Sequence, residues 1–290
     1  MLSSGRFLGS VCLALSLFIA SPVSRAESLL IWPLMPTLAS GAKSVAIHIE
    51  NTGQTSRTLQ FRVLQWQQPN HTDHGWDSTG RHETYHQQQR VIASPPVATI
   101  APESTQLIRL VYFQGTVPEA EQEQAYRVLI DDITPIAADN DNAFNFRMRY
   151  SVPLFLSRPQ TVPMPKKTGS YSDYLNEHIN VYCRAIDDET AELHIHNHGA
   201  VHLRLAQLQV LGAEQQTLFH NGEGLFGYVL PGAKQRWQLP VSCNQLQQGE
   251  LNARAHQVSL QMDVQPHFRS PVNDDEDEEE LTNELSAVTD

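Results

Sequence analysis

Phe144-Asn-Phe146-Arg-Met148-Arg-Tyr150-Ser-Val152-Pro-Leu154-Phe-Leu156 is the stretch on which the reading of this chain turns. Every even-numbered position is large and apolar, whereas Asn145, Arg147, Arg149 and Ser151 are polar. Alternate side chains of a strand point to opposite faces, so the segment carries one apolar face and one wet face. At about 3.3 Å per residue it runs roughly 40 Å, well beyond a strand of five or six residues. Such a line is either a core strand or a strand offered to another protein. Alternation alone leaves both open.

The flanking sequence has the same texture. Leu29–Leu38 is an apolar run interrupted by Pro33 and Pro36, which reads as an edge strand or a strand bending between partners, because proline cannot donate to a ladder. Alternating runs follow at Ser44–Glu50, Leu59–Trp66, Thr105–Phe113 and Ala125–Ile133, and a strand broken by Pro95-Pro96 lies between Val91 and Ile100. Asn51-Thr-Gly53 marks a turn, and the polar residues 67–90 read as a long hairpin loop with a short strand. Many short strands with turn signals and no helical periodicity indicate a β-sandwich. Residues 158–170, with three prolines and Lys166-Lys167, read as a connection. A second set of strands then spans Asn180–Arg184, Ala191–His196, Leu203–Leu211, Gln235–Leu239, Leu251–Ala255 and Val258–Val264. The expected class is all-β, with a first domain at 27–160 and a smaller sandwich at 171–266.

Met1–Ala26 reads as a cleavable signal peptide: Arg6, an apolar stretch from Phe7 to Ala20, then Ser24-Arg25-Ala26. Export is therefore expected, with no membrane insertion, since no later run is apolar enough to span a bilayer. The formal charge of −12 becomes −14 without the leader, and nine acids lie within 274–290, leaving about −5 for the body. An acidic tail at 270–290, expected to be disordered, and a mildly acidic body exclude the basic face of a nucleic-acid binder. Cys183 and Cys243 remain after the leader, an even number in an exported chain, and are expected to form one disulfide.

Chemistry is sparse. There is no G-x-S-x-G elbow, no H-E-x-x-H and no phosphate-cradling glycine loop, so no enzymatic activity and no cofactor are expected. Histidines cluster at His71, His74, His82 and His86 and again at His194, His196, His198 and His202. In Leu193-His-Ile-His the histidines share one strand face, and the plain expectation is solvated histidines with Leu193 and Ile195 pointing inward, hence no metal site. Arg109 and Arg127 are charges inside apolar strands. Each either has a partner or faces water.

Leu30-Ile-Trp-Pro-Leu34, Asn51-Thr-Gly53, Arg62-Val-Leu-Gln-Trp66 and Ser94-Pro-Pro96 stand in an order that continues through the second half. The later members are Gln106-Leu-Ile-Arg-Leu110, Ala125-Tyr-Arg-Val128, Arg149-Tyr-Ser-Val-Pro-Leu-Phe155 and Gly224-Leu-Phe-Gly-Tyr-Val-Leu-Pro-Gly232. Together they resemble the PapD-like periplasmic pilus-assembly chaperones of the chaperone–usher pathway, in particular the archaic branch. The resemblance implies two immunoglobulin-like sandwiches at an angle, a periplasmic location, and pilus subunits and an outer-membrane usher as partners. It also implies donor-strand complementation, in which Phe144, Phe146, Met148, Tyr150, Val152 and Leu154 fill the groove of an incomplete subunit. The family's basic carboxylate anchors align with Met35 and Pro153, so the anchor has moved, and Arg127 is the candidate. Arg109 looks like the family's interdomain salt-bridge arginine, with Glu123 as partner. The competing reading is an exported two-domain adhesin or structural binding module that keeps its own completed sandwich and holds no client.

Overall fold

Proline sets the topology of the first sandwich. A strand that meets a proline loses a ladder donor, and both proline-broken runs change sheets at the break. Leu29–Trp32 (β1) pairs with Ser44–Asn51 (β3), and after Pro33 and Pro36 the chain re-enters as Thr37–Leu38 (β2) in the opposite sheet. Likewise Val91–Ser94 (β6) pairs with Ser104–Tyr112 (β8), and beyond Pro95-Pro96 Val97–Ile100 (β7) pairs with Arg57–Gln67 (β4). One sheet runs β1-β3-β8-β6. The other is built from β2, Arg149–Leu156 (β10), Gln124–Asp132 (β9), β4 and Thr84–Gln87 (β5), in that order. These relations come from a computed structural model that describes residues 29–68, 83–135, 147–163, 168–255 and 258–265. The expected leader, Phe144, Phe146, His71, His74, His82, Lys166-Lys167 and the acidic tail lie outside the described residues.

The first core forms where the inward faces of these sheets meet: Ile47 and Ile49 from β3, Leu59, Phe61 and Val63 from β4, Ile108 and Leu110 from β8, Val128 and Ile130 from β9. β10 completes it with Val152, Leu154 and Leu156. At Ser157 the backbone turns to a φ of 59°, its N–H bonding the Leu38 carbonyl at 3.1 Å, and the strand ends.

The second sandwich repeats the plan. Ile179–Ala185 (β11), Ala191–Asn197 (β12), Lys234–Leu239 (β16) and Val264–Gln265 (β19) form one sheet. Leu203–Leu211 (β13), Thr217–His220 (β14), Leu225–Val229 (β15), Glu250–Ala255 (β17) and Val258–Met262 (β18) form the other. Equivalent corners carry equivalent chemistry. Asn51 Oδ1 accepts from the Gly53 N–H at 3.0 Å and its amide donates to the Ile100 carbonyl. Asn197 does the same with Gly199 at 2.9 Å and the Val229 carbonyl. Gly199 admits no side chain, since a Cβ there would lie 2.6 Å from the Tyr174 hydroxyl.

Two helices depart from the all-strand expectation. Thr168–His178 (α1) follows the proline-rich connection and places Tyr171 and Leu175 one turn apart into the second core. Cys243–Gln248 (α2) starts on a capping box between Ser242 and Gln245. Its first residue closes the disulfide Cys183–Cys243, with Cα atoms 5.7 Å apart, joining α2 to β11.

Candidate functional site

β10 is paired on one side along its whole length and on the other only at its end. β9 matches it from Arg149↔Asp131 to Leu156↔Gln124, whereas β2 reaches only Phe155 and Leu156. The Met148 carbonyl accepts from Asp132 N–H at 3.2 Å, while Phe155 N–H donates outward to the Pro36 carbonyl at 3.3 Å. Even residues therefore bond to β9, and odd residues turn their backbone groups to the outer edge. Among the described residues no strand pairs with that edge from Arg149 to Pro153. Pro153 sits on the outward side, where its missing N–H costs the sheet nothing.

The same parity divides the side chains, and this corrects the sequence expectation. Val152 and Leu154 are 4% and 0% exposed within the first sandwich's own core, so they are not free to fill another protein's groove. Closing the sandwich against the β3–β8 sheet requires that face of the strand. Tyr150 is half-buried against the same core, and Met148, at 56%, stands exposed. The apolar line thus leaves the core at its upstream end.

The odd face of β10 and its neighbours grades from charged to apolar. At one end Asp131 is held by Arg62 at 2.9 Å and by Arg149. Burial pushes the Asp131 carboxyl up, but the hydrogen bonds from Arg149 and Arg62 outweigh it and leave the carboxyl below its ordinary value. At the other end Phe155, Ala125 and Trp66 pack against the second sandwich. Gln68 fastens the boundary, donating to the Tyr228 carbonyl at 3.0 Å and accepting from the Leu230 N–H at 2.8 Å.

Arg127 stands where this cover begins. It is the register partner of Pro153 on one side and of Leu64 on the other. Its guanidinium lies 3.7 Å over the Trp66 ring and 5.6 Å from the Tyr228 ring, and its buried Nε has no hydrogen-bond partner. Glu83 approaches only to 3.8 Å. The neighbouring Tyr85 hydroxyl is pushed up to about 12 by burial and by its hydrogen bond to Glu83, with Arg127 opposing. Met35 completes the group, its sulfur accepting from the Tyr228 hydroxyl at 3.4 Å. Positions 35 and 153 are thus both linked to Arg127, Met35 through Tyr228 and Pro153 through the strand register. A planar guanidinium on an aromatic floor suits bidentate binding of a carboxylate.

The expected pair of Arg109 and Glu123 does not form. Arg109 is exposed on β8, since Ile108 and Leu110 take the inward positions on either side of it. Glu123 is buried and takes His202 instead, 2.5 Å from its Nδ1. Nothing local marks this pair in the sequence, because its members lie 79 residues apart. Trp66 and Tyr228 are still further apart along the chain. His194 and His196 share one face of β12, His194 bonding Glu192 at 3.1 Å and His196 lying with its ring centroid 3.6 Å from that of His198 just beyond the strand. Leu193 and Ile195 point inward. No group of three or more His, Cys, Asp or Glu among the described residues is arranged to hold a metal ion.

Residues 37–163 match the family described as pili and flagellar-assembly chaperone, PapD N-terminal domain. Solved structures share the fold across both sandwiches. A chain of the CsuC–CsuE chaperone–tip adhesion subunit pre-assembly complex, from archaic chaperone-usher Csu pili of Acinetobacter baumannii, is 22% identical with a TM-score of 0.57. That alignment covers 82% of this chain and 99% of that one. The Escherichia coli chaperone DraB gives 16% identity and a TM-score of 0.52 over 84% and 98% of the two chains. The Pseudomonas aeruginosa CupB2 chaperone gives 12% and 0.52 over 81% and 100%. No curated protein sequence matches the chain.

Proposed function

We propose, from the match of residues 37–163 to the PapD N-terminal domain, that this chain is a pilus-assembly chaperone that holds pilus subunits by lending them the outer edge of β10. A subunit that lacks its last strand exposes an edge and an apolar groove. Pairing with Arg149–Pro153 would satisfy the edge, and side chains upstream of the core, Met148 first, would enter the groove. Each apolar side chain fully buried there contributes about 1.5–3 kcal/mol. The carrying observation is the unpaired outer edge of β10, where Pro153 is the register partner of Arg127 and the guanidinium lies on the Trp66 ring. In this reading Arg127 receives the subunit's terminal carboxylate.

The reading extends to the whole chain. Residues 27–160 form the subunit-holding domain, 171–266 the second domain, and Met1–Ala26 directs export to the periplasm. The loaded chaperone then delivers its subunit to an outer-membrane usher of an archaic-type system. Among the described residues no helix is long and apolar enough to cross a membrane.

Co-expression with a candidate pilin tests this. A one-to-one complex is expected with the unaltered protein, and both Met148→Asp and Arg127→Ala should reduce its yield while the free chaperone keeps its melting temperature. Intact complex recovered from both variants would count against strand donation with an arginine anchor.

A further inference from the structure

β10 meets the rest of the molecule on three sides. Its even side chains close the first core, its outer edge is unpaired from Arg149 to Pro153, and its odd side chain Phe155 belongs to the boundary with the second sandwich. The Phe155 ring lies flat on the His202 imidazole, with centroids 3.5 Å apart and planes 3° from parallel. Trp66 and Tyr228 stand further off, at 6.1 and 6.2 Å.

The imidazole is itself fixed. Glu123 accepts the His202 backbone N–H at 3.0 Å and lies 2.5 Å from its Nδ1 through the same oxygen. The Glu123 N–H donates to the Ala200 carbonyl at 2.8 Å, so the 200–202 segment is held at two points. Glu123 immediately precedes β9, and Gln124 is the register partner of Leu156. The contacts form a closed circuit from Phe155 to His202, to Glu123, along β9 and back to β10. A buried carboxylate without a partner is costly, which favours keeping the circuit shut. Among the described residues β2, with only two residues, is the one strand that pairs with the outer edge at this end.

We infer that His202 is a positioning residue for the lent strand. It clamps the downstream end of β10 from the second sandwich, so that the free edge leaves the boundary in one direction and register. The purpose assigned to the clamp rests on the subunit-holding reading. Its geometry does not.

Backbone amide exchange in the full-length chain without any subunit reads the clamp directly. His202→Ala and Phe155→Leu should each speed exchange at the Phe155 and Ser157 amides, which bond the Pro36 and Leu38 carbonyls, by at least about tenfold. Ile47 and Ile108 in the first core should keep their rates, which separates lost positioning from general destabilisation. Glu123→Gln retains an acceptor for His202 and should give a smaller acceleration. Unchanged rates at Phe155 and Ser157 in folded His202→Ala, or in Phe155→Leu if the former does not fold, would overturn the clamp. Faster exchange together with no pilin complex from the unaltered protein would sustain the clamp and overturn only the subunit-holding role.

Discussion

His196 shows how much a single exposed-looking position depends on its neighbours. It lies between Asn180 on β11 and Lys234 on β16, with the His198 ring against it. Burial, then the charges of His198 and Lys234, push its pKa down to about 4. His194 and His198 are also lowered, mainly by burial. Between their ordinary value and these lowered ones the unfolded chain binds more protons than the folded one, so stability falls as pH drops through that window. Below the folded-state value the loss is complete and adds nothing further. The second sandwich should therefore unfold at lower urea near pH 5 than near pH 7. His196→Gln, which cannot titrate, should shrink that difference; an equal drop in the variant would mean that His196 does not carry it.

At the scale of the element, β10 was legible in part. Alternation gave a strand, and the proline-broken runs at Pro33 and Pro95 gave places where the ladder had to break. What alternation cannot tell is which stretch of one apolar face belongs to the strand's own sandwich, because that depends on where the opposing sheet ends. Val152 and Leu154 therefore read as donated side chains until Ile47, Ile108 and their neighbours are seen to cover them. The partner of Glu123 was hidden for a related reason: it comes from the other sandwich. Parity along the strand makes a sharp prediction. Ser151 is an odd position with its backbone turned outward, whereas Val152 bonds to Val128. Ser151→Pro should leave the protein folded and weaken the proposed pilin capture. Val152→Pro removes a ladder donor inside the sheet and should unfold the first sandwich, at a cost of about 3 kcal/mol, comparable to that of a proline inside a helix. Urea denaturation and pull-down of the pilin separate the two, and equal effects from both would refute the assigned parity.

For the whole molecule, the disulfide and the unpaired strand edge fall on different sandwiches. The disulfide closes a 60-residue separation within the second, which in the chain-entropy model contributes about 4 kcal/mol. Reduction should lower the unfolding midpoint of that sandwich while amide protection at Ile47 and Ile108 persists; loss of protection in both together would mean that the two unfold as one unit. The first sandwich carries the free edge, and the second covers its downstream end by packing Tyr228 and His202 against Trp66 and Phe155. Under the proposed function this edge becomes an inner strand when a subunit binds. Amide exchange of the purified chaperone–pilin complex against the free chaperone tests it most directly. The Ser151 amide, open in the free protein, should become strongly protected in the complex, while Val152, already bonded to β9, should change little. A stable complex in which Ser151 exchanges as fast as in the free chaperone would contradict it.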